Sequence, residues 1–322
     1  MKLPSINDFS FKGKRVLLRG DIDVVEGGKI TDDTRLLILL PTINNLFQKG
    51  AAKITLIGHI GRPGGKKDEQ LSTNHLKSWF EKRVKGDEFV VYENLRFWRG
   101  EEENDDGFSR ELAELGEVFV NEAFATSHRR HASIVGVPKY LKTVFGFRFL
   151  REVENLDKIL DSPKKPVIML IGGVKKGKLD YLEGLKNIAD KVLVGGRLPE
   201  YLGEDHKDKK IAVARLMPDK EDITINSIEK FIKILSAAGT IFVSGPMGKF
   251  EEEGHMMGTK SVFENIANSK ALKIAGGGDT EEAITKLRLN AKFDWISVGG
   301  GASLEYLTKR TLPAIEALID LS

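Results

Sequence analysis

Short Val- and Ile-rich runs alternate with amphipathic stretches along this whole chain, the pattern of repeated strand–helix units that folds as a mostly parallel sheet under helices. The runs are KRVLLRG (14–20), KITLIG (53–58), EFVVYEN (88–94) and EVFVNEAF (117–124) in the first half. PVIMLIG (166–172), VLVG (192–195), LKIAG (272–276) and WISVG (295–299) form the second set. Ligands of open α/β sheets bind beyond the carboxyl ends of the strands, so the residues just after each run carry the chemistry. Those residues differ between the halves. In the first half they are Asp21-Ile22-Asp23, His59-Ile60-Gly61-Arg62, Leu95-Arg96 and His128-Arg129-Arg130-His131. In the second they are Gly173-Val174-Lys175, Gly196, Gly277-Gly278-Asp279-Thr280 and Gly300-Gly301. One half offers side-chain cations, the other backbone N–H groups.

A chain of 322 residues is too long for one comfortable core and predicts two domains of about 150 residues each. Apolar Phe149, Leu150, Val153, Leu156, Ile159 and Leu160 recur at helical spacing over 148–161, just before the turn Ser162-Pro163-Lys164-Lys165-Pro166. A helix there divides the chain, with lobes expected at 1–147 and 162–307. The predicted fold is α/β: two doubly wound, Rossmann-like parallel-sheet lobes joined by a helix. Residues 34–49 read as a helix stopped at Gly50, with a kink or restart at Pro41. Further helices are expected near 72–84, 107–115, 179–189, 227–237, 258–268, 280–287 and 302–309. The charged stretch 203–210 reads as a solvated loop.

Composition narrows the function classes. With 41% hydrophobic and 30% charged residues the chain is an ordinary globular one. A net charge of +3 gives no reason to expect nucleic acid. Without cysteine there is no disulfide, thiolate metal site or thiol catalysis. The amino-terminal MKLPSINDFSFKGK lacks a signal-peptide core and no stretch approaches 18 apolar residues, so no membrane partner and a cytoplasmic location are expected.

Arg35, Arg62, Arg96 and Arg129 follow strands or open helices at four separate places, joined by His59, His128, Asp21 and Asp23. Guanidinium forks match carboxylate and phosphate oxygens, and four at strand ends outline an anion pocket, although any one alone is commonly surface decoration. GGGDT (276–280) links a strand to a helix, presenting unpaired N–H groups to a phosphate and leaving Asp279 beside a bound Mg²⁺. GGGASLE (299–305) repeats that pattern; the bland reading of each is a tight turn. Gly172-x₄-Gly177-Lys178 imitates a P-loop, but Leu179 stands where the Mg²⁺-holding hydroxyl belongs. Lys175, Lys176 and Lys178 still place cations where a transferring phosphate is stabilised. The histidines form no HxxxH or HExxH pair, and no GxSxG occurs. A phosphate-rich ligand on one lobe and a small anion on the other point to two-substrate phosphoryl transfer.

In order, the chain carries RGDIDV, KITDDTR, GHIGRP, ENLRF, VNEAFATSHRRHAS, GGVKKGK, GPMGKFE, GGGDT and GGGASLE. This series resembles the phosphoglycerate kinase family from end to end. The resemblance implies reversible transfer between 1,3-bisphosphoglycerate and ADP, giving 3-phosphoglycerate and ATP. The first lobe, completed by a tail at 308–322, would bind 3-phosphoglycerate through Asp21, Asp23, His59, Arg62, Arg96 and Arg129, with Arg35 on the transferring group. The second lobe would bind Mg²⁺ with ATP or ADP. Gly277, Gly278, Asp279 and Thr280 would take the phosphates and metal, with Asp279 the metal ligand. Gly173, Gly195 and Gly196 would lie near the base, Glu251 at the ribose, and Lys175 and Lys178 on the phosphate side, Lys178 catalytic with Arg35. A monomer with lobes free to hinge is the expected state.

Four departures stand inside these motifs. Asp23 occupies a position where the family usually has Asn, bringing an acid toward an anionic substrate. GGVKKGK is one residue short, leaving open whether Lys175 or Lys176 takes the first lysine role. Val243-Ser244 replaces Trp-Asn before GPMG. The segment between Gly196 and Asp222 is far shorter than usual and opens with Arg197-Leu198-Pro199 in place of a third Gly and small neighbours, which predicts a shallower base pocket. A non-catalytic relative binding an anionic metabolite or partner is the alternative these departures suggest.

Overall fold

The computed structural model describes residues 3–86 and 88–319. The chain forms two units, one of residues up to Glu152 together with those from Leu312, the other Val153–Thr311. The sequence reading began the returning tail at 308; the chain rejoins the first unit at Leu312. There α12 (Pro313–Ile319) is tied down by Ala314 N–H donating to the Ser127 carbonyl at 3.2 Å and by Arg130 paired with Glu316 at 2.9 Å.

The first unit holds strands β1 (Arg15–Arg19), β4 (Lys53–Ile57), β5 (Phe89–Val91), β6 (Val118–Asn121) and β7 (Lys142–Phe145), all parallel, ordered β5-β4-β1-β6-β7. A two-residue-per-strand hairpin, β2 (Val25–Glu26) with β3 (Lys29–Ile30), follows β1. Strands β1, β4 and β6 are buried on both faces, which is why they read as continuous apolar runs. Helices α1 (Thr34–Gln48), α2 (Asn74–Glu81), α3 (Arg99–Glu103) and α4 (Asp106–Ala113) connect them. Helix α1 runs through Pro41 as one element, so of the expected kink or restart the restart does not occur. Pro41 is exposed, and Leu37, whose carbonyl loses its partner, is 45% exposed, so solvent can satisfy that group.

The connecting helix α5 (Phe147–Asp161) begins in the first unit and ends in the second. The second unit has six parallel strands: β8 (Val167–Ile171), β9 (Lys191–Val194), β10 (Ile211–Val213), β11 (Thr240–Ser244), β12 (Leu272–Gly276) and β13 (Trp295–Ser297). Their order is β10-β9-β8-β11-β12-β13, which by position is the doubly wound 3-2-1-4-5-6 arrangement. Helices α6 (Leu182–Ile188), α7 (Pro199–Leu202), α8 (Ile225–Leu235), α9 (Met257–Asn268), α10 (Gly278–Lys286) and α11 (Gly300–Lys309) flank it. Both sheets reverse strand order beside their first strand, between β1 and β6 and between β8 and β11. Doubly wound sheets bind ligands at such points.

Candidate active site

In the first unit, Arg19, Ile57 and Asn121 stand level at the ends of three adjacent strands. Arg19 is wholly buried and organises the polar groups around it. Its Nε donates to Ser133 Oγ at 3.0 Å, another nitrogen to the Gly20 carbonyl, and Nη2 lies 3.1 Å from His59 Nδ1. A guanidinium has no acceptor, so Nδ1 must accept and the His59 proton sits on Nε2, 3.7 Å from Asp23 Oδ2. Burial, reinforced by Arg19, Arg96 and Arg129, holds the His59 pKa well below its usual value, so the ring is neutral. Glu101 anchors the far side, accepting from Ser133 N at 2.9 Å and Ser133 Oγ at 2.6 Å.

The predicted anion-binding residues gather around this network. Asp23, the unexpected acid, accepts from the Gly61 N–H at 2.8 Å and faces His59, so its carboxylate is occupied within the loop framework. Asp21 is buried and pairs with Arg35 at 3.4 Å. Arg35 stands in the first turn of α1, where the helix dipole disfavours a cation and favours an anion beside it. Arg96 is buried, donates to the Gly61 carbonyl at 2.6 Å and lies 3.4 Å from Glu102 in an ion pair, while its Nη2 has no hydrogen-bond partner. Burial and then Arg129 push the Arg96 pKa down to about 10. Burial and then Arg62 also lower that of Arg129. Arg62 is exposed. The guanidinium groups thus repel one another, and an anion among them would relieve that repulsion.

In the second unit a cavity of about 500 Å³ is lined by Gly173, Val174, Lys175, Gly196, Arg197, Glu221, Pro246, Gly248, Lys249, Glu251, Glu252 and Asp279. Its floor exists because strand ends approach at backbone contact. A Cβ on Gly196, where φ is +58°, would meet Gly173 N at 2.2 Å; one on Gly245, φ +110°, would meet the Gly172 carbonyl oxygen at 2.2 Å. Lys178 bridges the same ends, donating to the Gly172 and Ser244 carbonyls at 2.9 Å each. Burial pushes its pKa down to about 8, against the partial opposition of Asp279. A 3₁₀ turn over Lys176–Tyr181 follows β8, and α6 begins only at Leu182, so the P-loop lookalike does not cradle a ligand at a helix start.

Asp279 lies in the first turn of α10, half-buried, 3.5 Å from Lys175. Of the two candidate lysines, Lys175 lines the cavity, whereas Lys176 lies over the Tyr201 ring at 5.4 Å. Glu251, Gly173 and Gly196 line the cavity as well; Gly195, Gly277, Gly278, Thr280 and Lys178 are not among its lining residues. Gly195 packs against Met247, where a Cβ would meet sulfur at 2.5 Å. The buried Thr280 hydroxyl accepts from Gly245 N at 2.7 Å and donates to the Gly276 carbonyl at 3.0 Å, which braces the loop. The second glycine motif supports the first: a Cβ on Gly300 would meet Gly277 Cα at 3.0 Å.

Sequence reasoning missed Arg19, Ser133 and Glu101 in one unit and Glu221, Lys249 and Glu252 in the other; it noted Arg197 only as a departure from the family pattern, without a role. A cation at the buried carboxyl end of the strand RVLLR, whose other cation Arg15 is exposed, was a readable signal for Arg19. The others meet only through the fold.

Two doubly wound units, one with clustered guanidinium groups at its strand ends and one with a glycine-floored cavity, define a two-unit α/β protein of the nucleotide-binding type of architecture. The family model for phosphoglycerate kinase matches residues 6–202 and 203–310, so the chain belongs to the phosphoglycerate kinase family. The two matched pieces meet between Leu202 and Gly203. A phosphoglycerate kinase of Borreliella afzelii is 35% identical, covering 99% of this chain and 100% of that protein. One of Rubrobacter xylanophilus is also 35% identical, over 98% of this chain and 97% of that protein. The former alignment runs over 392 positions against 322 residues here, so the relative carries stretches without counterpart in this chain. A solved phosphoglycerate kinase structure from Coxiella burnetii superposes with a TM-score of 0.82 at 29% identity, over 99% of this chain and all of that one.

Proposed function

We propose that this protein is an active phosphoglycerate kinase, a phosphotransferase with a carboxyl acceptor that moves a phosphoryl group reversibly between 1,3-bisphosphoglycerate and ADP. The observation that carries this reading is the division of labour between units. Guanidinium groups converge at one set of strand ends, and a glycine-floored cavity with Lys175 and Asp279 lies at the other.

The geometry supports the following roles. Arg62, Arg96 and Arg129 hold 3-phosphoglycerate by charge, and neutral His59 offers its Nε2 proton, its tautomer set by Arg19. Asp21 orients Arg35, whose guanidinium stabilises the transferring group. The acceptor carboxylate is ionised at neutral pH, so no general base is needed, and catalysis rests on positioning and charge. In the second unit the N–H groups opening α10, Lys175 and Lys178 hold the nucleotide phosphates, with Glu251 at the ribose. Asp279 fits Mg²⁺, which is commonly bound by one or two carboxylates together with substrate phosphates. Among the described residues no group of three or more His, Cys, Asp or Glu side chains could hold a metal by itself. Bound there, the cation would neutralise phosphate charge.

The protein is proposed to act as a cytoplasmic monomer on small molecules, without nucleic acid or membrane. Among the described residues no helix is long and apolar enough to cross a membrane. A coupled assay with 3-phosphoglycerate and ATP tests the activity. Turnover dependent on both substrates is expected; binding of 3-phosphoglycerate without turnover on any nucleotide would favour the non-catalytic alternative.

A further inference from the structure

Arg197, Glu221, Lys249 and Glu252 all line the cavity, and their charges are unequally engaged. Arg197 is anchored by its N–H donating to the Gly173 carbonyl at 3.0 Å and by its Nε donating to Glu200 at 2.7 Å. Lys249 and Glu252 pair with each other at 2.5 Å. Glu221 is held through its backbone, donating to Asp219 Oδ1 at 3.1 Å and accepting from Lys249 N at 2.8 Å. Its carboxylate stands 3.8 Å from Arg197 Nη1, an ion pair beyond hydrogen-bond distance. Glu221 is half-buried on the cavity lining, so its carboxylate is an acceptor with both oxygens available and a guanidinium alongside.

That pairing discriminates between purines. Guanine presents N1–H and N2–H₂ side by side, matching the two oxygens of one carboxylate, with O6 next to them for a guanidinium donor. The same edge of adenine has one donor, N6–H₂, beside the lone pair of N1, which would face the second carboxylate oxygen repulsively. We infer that Arg197 and Glu221 read the base of the phosphoryl donor, and that this cavity takes guanine nucleotides in preference to adenine nucleotides. The inference rests on the reading of the cavity as the nucleotide site. It also gives the Arg197-Leu198-Pro199 departure a use: the segment supplies a polar edge reader for the base.

Calorimetric titration of the full chain with GDP, IDP and ADP, each with Mg²⁺, tests it without depending on turnover. GDP should bind at least tenfold more tightly than ADP, a gap of about 1.4 kcal/mol or more. IDP, which keeps N1–H and O6 but lacks the N2 amino group, should fall between. Glu221→Gln should shrink the GDP-to-ADP ratio to less than threefold. Equal or tighter binding of ADP by the natural sequence, or a gap that survives Glu221→Gln, overturns the base assignment and leaves the kinase reading standing. Preferential GDP binding without phosphoryl transfer has the opposite meaning: base reading holds and the kinase activity falls. If none of the three binds, both readings fail.

Discussion

At the scale of single residues, three cations carry the proposed chemistry, and each makes a separable prediction. Removing Arg35 takes away a preorganised donor that acts on the transferring group, so Arg35→Ala should lower kcat by about 10²-fold or more. Arg96 is an anchor, bound to the Gly61 carbonyl and close to Arg129 and Arg19, so Arg96→Ala should act mainly on the KM for 3-phosphoglycerate. Steady-state kinetics of both variants checks the split; an Arg35→Ala enzyme with near-normal kcat would remove Arg35 from its role. Lys178 adds a pH signature. Its pKa is depressed to about 8 by burial, so it is charged below that pH and loses its charge as pH rises through it. The kcat/KM for nucleotide should therefore fall above pH about 8 with a slope of one, and the natural enzyme staying flat to pH 9.5 would contradict the assignment.

At the scale of elements, the glycines at strand ends are structural before they are functional. Gly196→Ala puts a Cβ within 2.2 Å of Gly173 N at a φ of +58°. The left-handed conformation and the backbone clash together should destabilise the second unit by at least about 2 kcal/mol. Thermal unfolding should register a fall in Tm of at least about 4 °C; an unchanged Tm would mean the floor yields where the geometry says it cannot. The same elements show what a sequence can reveal. Strands buried on both faces announce themselves as apolar runs, and the residues after them, from Asp21 to Asp279, could be picked out because parallel sheets direct ligands to those ends. The helices over 225–235 and 257–268 were legible from their spacing. Four-residue α7 and three-residue β10 were not, since neither completes a readable period. At Pro41 the choice between a kink and a restart was open for a local reason: whether a proline breaks a helix depends on whether the orphaned carbonyl faces solvent, which only the fold decides. The pairing of Arg197 with Glu221 was hidden because they are 24 positions apart by number and come together through the turn between β10 and α8.

At the scale of the whole molecule, each ligand is assigned to its own unit. Arg35, Arg96 and Arg129 belong to the first, and Lys175, Lys178 and Asp279 to the second. Direct transfer needs reacting atoms about 3–3.5 Å apart. On the proposed function the protein admits two ligands separately and then reacts them, which requires a change of conformation; α5 and the return of the chain near 305–312 are proposed to absorb it. Small-angle scattering of the free protein, each binary complex and the ternary complex measures this directly. The account predicts a partial fall in the radius of gyration with either ligand and a larger one with both. An identical radius across all four states, with both ligands shown to be bound, would contradict it.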